Sequence, residues 1–171
     1  MTSYALEENG RLLFFDPLAV SGEMEELVSG RETAIVLTCP WHRRDALGLA
    51  QRLDAPIYVP PPDEGDPEPV AGHVFRAGER LPVGIEAFPG REPNDLVLWV
   101  ESRRAIVAGD TFINGSAGLE FPFDERDEQR FGATREQTLD AVRTVLELPV
   151  ELVLPTHGPP TDRAALDRAL A

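Results

Sequence analysis

Three side chains that could do chemistry stand at the ends of three separate apolar segments. Cys39, Asp110 and His157 each follow a run of β-branched and apolar residues typical of a buried strand. Functional side chains in α/β proteins collect where strands end, so we expect these three to lie around one pocket. A thiol, a carboxylate and an imidazole could hold a metal ion, or could serve as a nucleophile with its base.

The loop that begins at Cys39 is rich in aromatic and titratable side chains: Trp41, His42, Arg43 and Arg44. If Cys39 is a nucleophile, neighbouring arginines must favour its thiolate, and a base such as His157 must lie within hydrogen-bond reach. The alternative is a buried, inert thiol.

The remaining pattern alternates strands and helices. An Asn-Gly pair at residues 9–10, between two strand-like runs, predicts an N-terminal β-hairpin. Residues 21–29 are predicted to form a short helix, and Thr134 with Gln137 has the spacing of a capping box at the start of another. The Pro-rich, acidic residues 60–69 predict an extended, mobile surface loop, whereas residues 114–133 show no clear period.

Length and composition predict one soluble, cytoplasmic domain. The 171 residues are 42% hydrophobic, which suffices for one sizeable core but not for two ordinary domains. A formal net charge of −14 argues against binding to nucleic acid or to an anionic membrane surface. No apolar run approaches the roughly 20 residues needed to span a bilayer. The sequence does not indicate an oligomeric state.

The chain resembles the metallo-β-lactamase superfamily in four landmarks that occur in the family's order. They are Leu37-Thr38 before the reactive loop, Pro89-Gly90-x-x-Pro93, Ala108-Gly109-Asp110-Thr111, and Leu154-Pro155-Thr156-His157-Gly158. The resemblance covers nearly the whole chain and implies a four-layer αββα sandwich, with two mixed sheets between outer helices. It also implies an active site at one edge of the sandwich that binds one or two metals, usually zinc. Asp16 resembles an early aspartate of the family, which implies a residue that either supports the metal ligands from behind or stabilises a turn, and we expect it to cap the turn.

Most of the metal-ligand positions that the resemblance implies are substituted. The family's His-x-His-x-Asp-His is here Cys39-Pro40-Trp41-His42-Arg43-Arg44, and Arg91 stands where the family has the histidine of Pro-Gly-His. Only the later ligands, Asp110 and His157, match. His42 falls at a spacer position of the motif, so we expect a partly exposed loop residue there. Because a guanidinium cannot donate to a cation, we predict a degenerate, metal-free site; zinc held by Cys39, Asp110 and His157 is the alternative.

The substituted positions lead to a binding hypothesis. Arg43, Arg44 and Arg91 bring positive charge to the place of the family's metals, and Arg44 or Arg91 is predicted to pair with Asp110. Together with Trp41, these arginines could bind a small carboxylate or phosphate. Alternatively, they form a structural salt-bridge cluster around a vestigial site, as in a pseudoenzyme.

A catalytic hypothesis stands beside the binding one. In it, the chain is an atypical hydrolase of ester, thioester, lactone or phosphoester bonds that uses one metal ion, or the pair of Cys39 and His157. The missing family ligands favour the binding hypothesis. Metal content is the property that separates the two.

Overall fold

The computed structural model describes residues 1–8, 10–18 and 27–171. Their strands form two five-stranded sheets and a small hairpin. The first sheet has the order β1 (Tyr4–Glu8), β2 (Arg11–Phe15), β3 (Glu32–Val36), β4 (Ile57–Val59) and β5 (His73–Val74). β1 and β2 are antiparallel and the later neighbours are parallel, so the sheet is mixed.

The second sheet is also mixed and carries the later landmarks. Its order is β12 (Thr161–Asp162), β11 (Leu152–Leu154), β8 (Ala105–Val107), β7 (Leu96–Val100) and β6 (Ile85–Pro89). Only the β11–β8 pair is parallel among these neighbours. The other elements are α1 (Ala46–Leu53), the hairpin of β9 (Ile113–Gly115) and β10 (Gly118–Glu120), α2 (Glu125–Phe131), α3 (Arg135–Val142) and α4 (Arg163–Ala169).

The alternation of side chains along the strands explains the four layers. In β2, Leu13 and Phe15 pack between the two sheets, whereas Leu12 and Phe14 pack with residues of α1. In β8, Ile106 faces the outer side instead, where it joins residues of α3 and α4. Strands covered on both faces must be apolar throughout, which is why these segments are unbroken hydrophobic runs. The predicted αββα sandwich is confirmed.

Local predictions agree with the structure where it describes the residues. Glu8 pairs with Arg11 across the N-terminal hairpin, and Gly10 adopts the positive φ of 76° that this turn needs. Thr134 and Gln137 form the predicted reciprocal cap of α3. The predicted helix at residues 21–29 lies mostly outside the described residues.

Residues 114–133 contain more structure than the sequence indicates. They include the β9–β10 hairpin and α2, whose N-terminus is capped by the Asp124 carboxylate. None of the described helices is both long enough and apolar enough to cross a membrane.

Candidate metal centre

A 3-10 turn after β3 determines which loop side chains enter the site. The turn covers Pro40–Arg43, with proline at its start, where a missing N–H costs nothing. It leaves Cys39 fully buried and His42 only 4% exposed. The prediction of a partly exposed His42 is therefore wrong, because the tight turn points this spacer residue inward.

Two carboxylates hold His42. Its Nδ1 lies 3.1 Å from Asp16 Oδ2 and 3.2 Å from Thr38 Oγ1. The Thr38 hydroxyl donates its own proton to Asp16 Oδ2 over 2.7 Å, so Nδ1 faces acceptors only and must carry a proton. On the other side of the ring, Nε2 lies 3.3 Å from Asp110 Oδ1. With the proton on Nδ1, Nε2 is the atom that His42 presents to the centre of the site.

The two oxygens of Asp110 have different surroundings. Oδ2 accepts a hydrogen bond of 3.0 Å from Trp41 Nε1. Oδ1 lies 3.3 Å from His42 Nε2 and 3.2 Å from His157 Nε2. Neither contact has hydrogen-bond alignment, and among the described residues this buried oxygen has no hydrogen-bond partner. An unsatisfied buried carboxylate oxygen is costly, so this atom marks a place where a cation would be stabilised.

Cys39 completes a group of metal-ligating atoms. Donor atoms of Cys39, His42 and Asp110 all lie within 4.8 Å of one another. Burial raises the pKa of the Cys39 thiol, and the charges of Asp95, Asp16 and Asp110 raise it further. The charged groups that act on the thiol are thus carboxylates, which oppose the thiolate, and not the arginines that were predicted to favour it. The free thiolate is therefore disfavoured, so Cys39 is a poor nucleophile without a metal. A bound cation would offset the negative charge of the carboxylates and favour the thiolate.

The charge states of His42 and Asp110 follow from their contacts in the metal-free protein. Burial lowers the pKa of His42, but Asp110 and Asp16 together outweigh it and raise the pKa to about 9. Burial raises the pKa of Asp110, but His42, Trp41 and His157 outweigh it and lower the pKa to about 2. Without a metal, His42 is therefore an imidazolium between two carboxylates at neutral pH.

Asp95 is a buried residue of the site that sequence analysis missed. It is fully buried, and burial raises the pKa of its carboxyl well above the usual range. Asp95 Oδ2 accepts a 2.7 Å hydrogen bond from Thr111 Oγ1, and Oδ1 lies 3.4 Å from the amide nitrogen of Asp110. A Cβ on Gly109 would lie 2.6 Å from Asp95 Oδ1, so only glycine fits there. These contacts hold the turn that carries Asp110.

The structure brings together the three strand-end residues that were expected to lie around one pocket, without the Arg91 side chain. Cys39, Asp110 and His157 converge, but the Arg91 side chain turns aside, donating from Nη1 to Pro122 O over 3.0 Å and from Nη2 to Glu92. Only the Arg91 backbone reaches the site, through a 3.0 Å hydrogen bond to Thr111 Oγ1.

The other two arginines also have partners outside the group. Arg43 donates to Glu68 O over 2.7 Å, and Arg44 donates to Asp16 O over 2.9 Å. The predicted pairing of Asp110 with Arg44 or Arg91 is wrong. Among the described residues, the basic side chains in close contact with Asp110 are the imidazoles of His42, at 3.3 Å, and His157, at 3.2 Å.

A cleft of about 370 Å³ lies beside the site. Trp41 and Arg43 line one side of it, and Asp63, Glu64 and Asp66 of the Pro-rich loop line the other. As predicted, residues 60–69 form no helix or strand. The return of this loop over Trp41 gives the cleft an acidic border.

The His157 loop allows a stability prediction. Gly158 has a φ of +102°, and a Cβ there would lie 1.9 Å from the carbonyl oxygen of Asn114. We expect Gly158→Ala to lower the free energy of unfolding by about 2 kcal/mol or more in urea titrations. Gly132→Ala is the matched control, since Gly132 also has a positive φ, of +69°, but has open space around it. Equal losses in both variants would show that the contact with Asn114 is unimportant.

Comparisons with known proteins support the fold described above. A family model described as the metallo-beta-lactamase superfamily matches residues 31–157. A search of curated proteins found no match. Among solved structures, TTHA1623 in a di-iron-bound form has a TM-score of 0.72 and 24% identity, covering 98% of this chain and 92% of that one. DIM-1 metallo-beta-lactamase has a TM-score of 0.69 and 16% identity, with coverages of 98% and 84%.

A further similar structure is BLEG-1, a B3 metallo-beta-lactamase, with a TM-score of 0.67, 18% identity and coverages of 95% and 89%. At such identities these structures support a shared fold. The family model covers most of the chain and includes Cys39, Asp110 and His157. The chain belongs to the metallo-β-lactamase superfamily.

Proposed function

We propose that this chain is an atypical hydrolase with a single metal ion held by Cys39, His42 and Asp110. The observation that carries the proposal is the buried Asp110 Oδ1, which has no hydrogen-bond partner among the described residues although two imidazole Nε2 atoms flank it. Protein interiors rarely leave such an atom unsatisfied, and a cation would satisfy it.

The distances fit a tetrahedral ion. Ligands bonded to zinc at about 2.0–2.1 Å are separated from each other by about 3.3 Å. The two Nε2 atoms lie 3.3 and 3.2 Å from Asp110 Oδ1, close to that spacing. His42 also donates Nδ1–H to Asp16, and a carboxylate behind the second ring nitrogen is typical of a metal-bound histidine. Sulfur, nitrogen and oxygen donors together favour zinc.

His157 supplies the proton-transfer group in this proposal. It lies outside the compact group, its side chain is 39% exposed, and its Nε2 is 3.2 Å from Asp110 Oδ1. A bound zinc ion would polarise a substrate carbonyl or phosphoryl oxygen and lower the pKa of a water. His157 can then take the proton of that water and deliver it to the leaving group, or serve as a fourth ligand. Ester, thioester, lactone and phosphoester bonds are the substrate classes.

Trp41 orients the carboxylate. Its indole N–H occupies Asp110 Oδ2 over 3.0 Å, so only Oδ1 is free for an ion. A tryptophan at a former ligand position therefore favours one metal over two.

A second candidate function is a metal-free protein that binds a small anion. The observation in its favour is that His42, with a pKa raised to about 9, can itself supply the positive charge between Asp16 and Asp110. In this proposal Arg43, Arg44, Arg91 and Trp41 recognise the anion. The acidic border of the cleft beside Arg43 and the existing partners of the arginines weaken it.

Metal content separates the two functions. We expect protein prepared without a metal-binding tag and supplied with zinc to retain about one equivalent after desalting. It should hydrolyse members of a panel of esters, thioesters, lactones and phosphoesters, and a chelator should abolish that activity. Cys39→Ser should lose most of the zinc, because a hydroxyl is a far weaker ligand than a thiolate.

The control is Arg91→Ala, which removes a side chain that points away from the donor atoms and should retain the ion. A wild-type protein that holds no zinc, iron or manganese would favour the anion-binding function.

A further inference from the structure

The cleft beside the candidate metal centre carries an excess of negative charge. The Pro-rich loop contributes three carboxylate side chains to its lining: Asp63, Glu64 and Asp66. Arg43 lines the opposite side, but its guanidinium donates to Glu68 O over 2.7 Å and lies 3.9 Å from the Glu68 carboxylate. Since Glu68 offsets the charge of Arg43, the three lining carboxylates determine the charge of the cleft.

The contacts of these carboxylates leave their charge in place. Asp63 Oδ1 accepts a 3.1 Å hydrogen bond from Asn94 Nδ2, and Asp66 Oδ1 accepts one of 2.9 Å from the Glu68 amide, so both donors are neutral. In the described part of the chain, no basic side chain forms an ion pair with either of them or with Glu64. The Asn94 contact also ties the loop to the turn after β6, which fixes the carboxylates beside the cleft.

Trp41 belongs both to the cleft and to the candidate metal centre. Its indole N–H donates to Asp110 Oδ2 over 3.0 Å, while the side chain lines the cleft. The buried Asp110 Oδ1 has no hydrogen-bond partner among the described residues, and this observation, independent of the acidic loop, points to a ligand at that end. A molecule that reacts there extends along the indole into the cleft.

A positively charged group with an apolar surface suits this cleft best. The face of an indole ring attracts ammonium groups, and carboxylates attract them by direct charge interaction. The whole molecule has the same preference, because its 30 acidic and 16 basic residues attract cations and repel anions. An anionic substrate is therefore repelled both by the cleft and by the net charge.

We propose that the substrates of this chain are esters or thioesters that carry an ammonium group a few bonds from the reacting bond. In this inference Trp41 and the carboxylates of Asp63, Glu64 and Asp66 select the ammonium group. The inference rests on the proposed hydrolase function for its kinetic test, whereas recognition of the ammonium group is also measured without metal and without turnover.

Three thioacetates that differ in one terminal group test the selection. Acetylthiocholine carries a trimethylammonium group, its carbon isostere carries a neutral tert-butyl group, and the thioacetate of mercaptoethanesulfonate carries an anion. Hydrolysis adds one water across each thioester and releases acetate, a proton and a thiol, so one thiol assay serves all three. With zinc-supplied protein, we expect kcat/KM to be about tenfold higher for the cationic than for the neutral substrate, mostly through KM, and lowest for the sulfonate.

The test variant is Asp63→Asn/Glu64→Gln/Asp66→Asn. It removes three charges and keeps the side-chain shapes, and its amide oxygens still accept the hydrogen bonds from Asn94 and from the Glu68 amide. We expect the ratio of kcat/KM for the cationic to the neutral substrate to fall to about twofold, the part that Trp41 supplies. A variant that keeps the wild-type ratio would overturn the inference.

The matched control is Glu79→Gln/Glu125→Gln/Glu147→Gln. It removes the same number of charges from exposed positions that do not line the cleft. We expect this variant to keep the wild-type ratio. Equal losses in the two variants would assign the preference to the net charge of the protein, and the cleft would have no part in it.

Choline binding to chelator-treated protein is the measurement that needs no turnover. The chain has two tryptophans, and Trp99 is 4% exposed in the core, so Trp41 is the indole that a ligand in the cleft reaches. In ¹H–¹⁵N spectra, we expect the Trp41 indole resonance to shift as choline is added and to stay in place with the neutral carbon isostere of choline at the same ionic strength. Trp41→Phe assigns the resonance.

Two further outcomes would overturn the inference. The first is a kcat/KM for the neutral or the anionic thioacetate that equals or exceeds that for acetylthiocholine. The second is a Trp41 resonance of the wild type that does not respond to choline. If zinc-supplied protein hydrolyses none of the thioacetates, the proposed function fails, and the choline titration alone decides whether the cleft recognises an ammonium group.

Discussion

Replacing His42 with glutamine is expected to lower zinc affinity on the order of 1,000-fold, because it removes one of the three proposed ligands of the ion. Glutamine has a similar length and keeps a polar head, so the cavity is not emptied. The Nε2 of His42 lies 3.3 Å from Asp110 Oδ1, which has no hydrogen-bond partner in the part of the chain that the structure describes. Competition titration against a chelator of known affinity measures the change.

His73→Gln is the control for this substitution. His73 is exposed and stacks on Tyr58 with ring centroids 5.2 Å apart, in the first sheet and outside the donor group. We expect it to keep wild-type zinc affinity. If both histidine variants bind zinc as the wild type does, His42 is not a ligand, and the donor set must be sought among Cys39, Asp110 and His157 alone.

Chelator-treated protein is expected to lose stability as the pH rises from about 6.5 to about 9. The pKa of His42 is raised from 6.5 to about 9 in the folded protein, so its charge stabilises the fold fully below 6.5 and no longer does so above 9. A shift of this size corresponds to roughly 3 kcal/mol at most, since one pKa unit is about 1.4 kcal/mol. Urea unfolding across this pH range measures it.

His42→Gln should flatten this pH dependence, because glutamine does not titrate. Zinc should act in the opposite direction: a bound ion takes the place of the Nε2 proton, so zinc affinity should rise over the same interval. Metal-free stability that stays constant from pH 6.5 to 9 would mean that His42 is already neutral. In that case the carboxylates on either side of it are weaker partners than their distances indicate.

The four-layer fold was implied by the family resemblance, whereas local sequence patterns predicted individual elements, because each element depends on properties that a single segment carries. The apolar run of residues 34–37 predicts a strand covered on both faces, and the Asn-Gly turn and the Thr134 cap depend on residues a few positions apart. The convergence of Cys39, Asp110 and His157 followed from strand ends in the same way.

The chemistry of the site depends on contacts between distant residues, which is why sequence analysis missed part of it. His42 enters the site because Pro40–Arg43 form a tight turn and because Asp16 accepts its Nδ1 proton. Proline after Cys39 was the available signal for that turn. Asp95 had no local signal, since its partners, Asp110 and Thr111, lie on another strand end.

For Arg91, sequence analysis placed a side chain in the site that the structure places outside it. Its position in the family motif predicted a side chain in the site, but Glu92, the next residue along the chain, competes for it, and Arg130 of α2 lies 3.6 Å from the same carboxylate. An adjacent acid in a turn can redirect a long cationic side chain, and motif alignment does not include that effect.

Asp16 Oδ2 lies 3.3 Å from Thr156 Oγ1, and this contact has a consequence for how the protein is made. It joins residues 140 positions apart, so this contact cannot form until Thr156 has left the ribosome. Closing so long a loop costs chain entropy before any contact compensates it, and such non-local topologies fold slowly. During synthesis, Cys39 and His42 are therefore exposed well before His157 exists. The proposed metal site is therefore complete only after the two sheets have met.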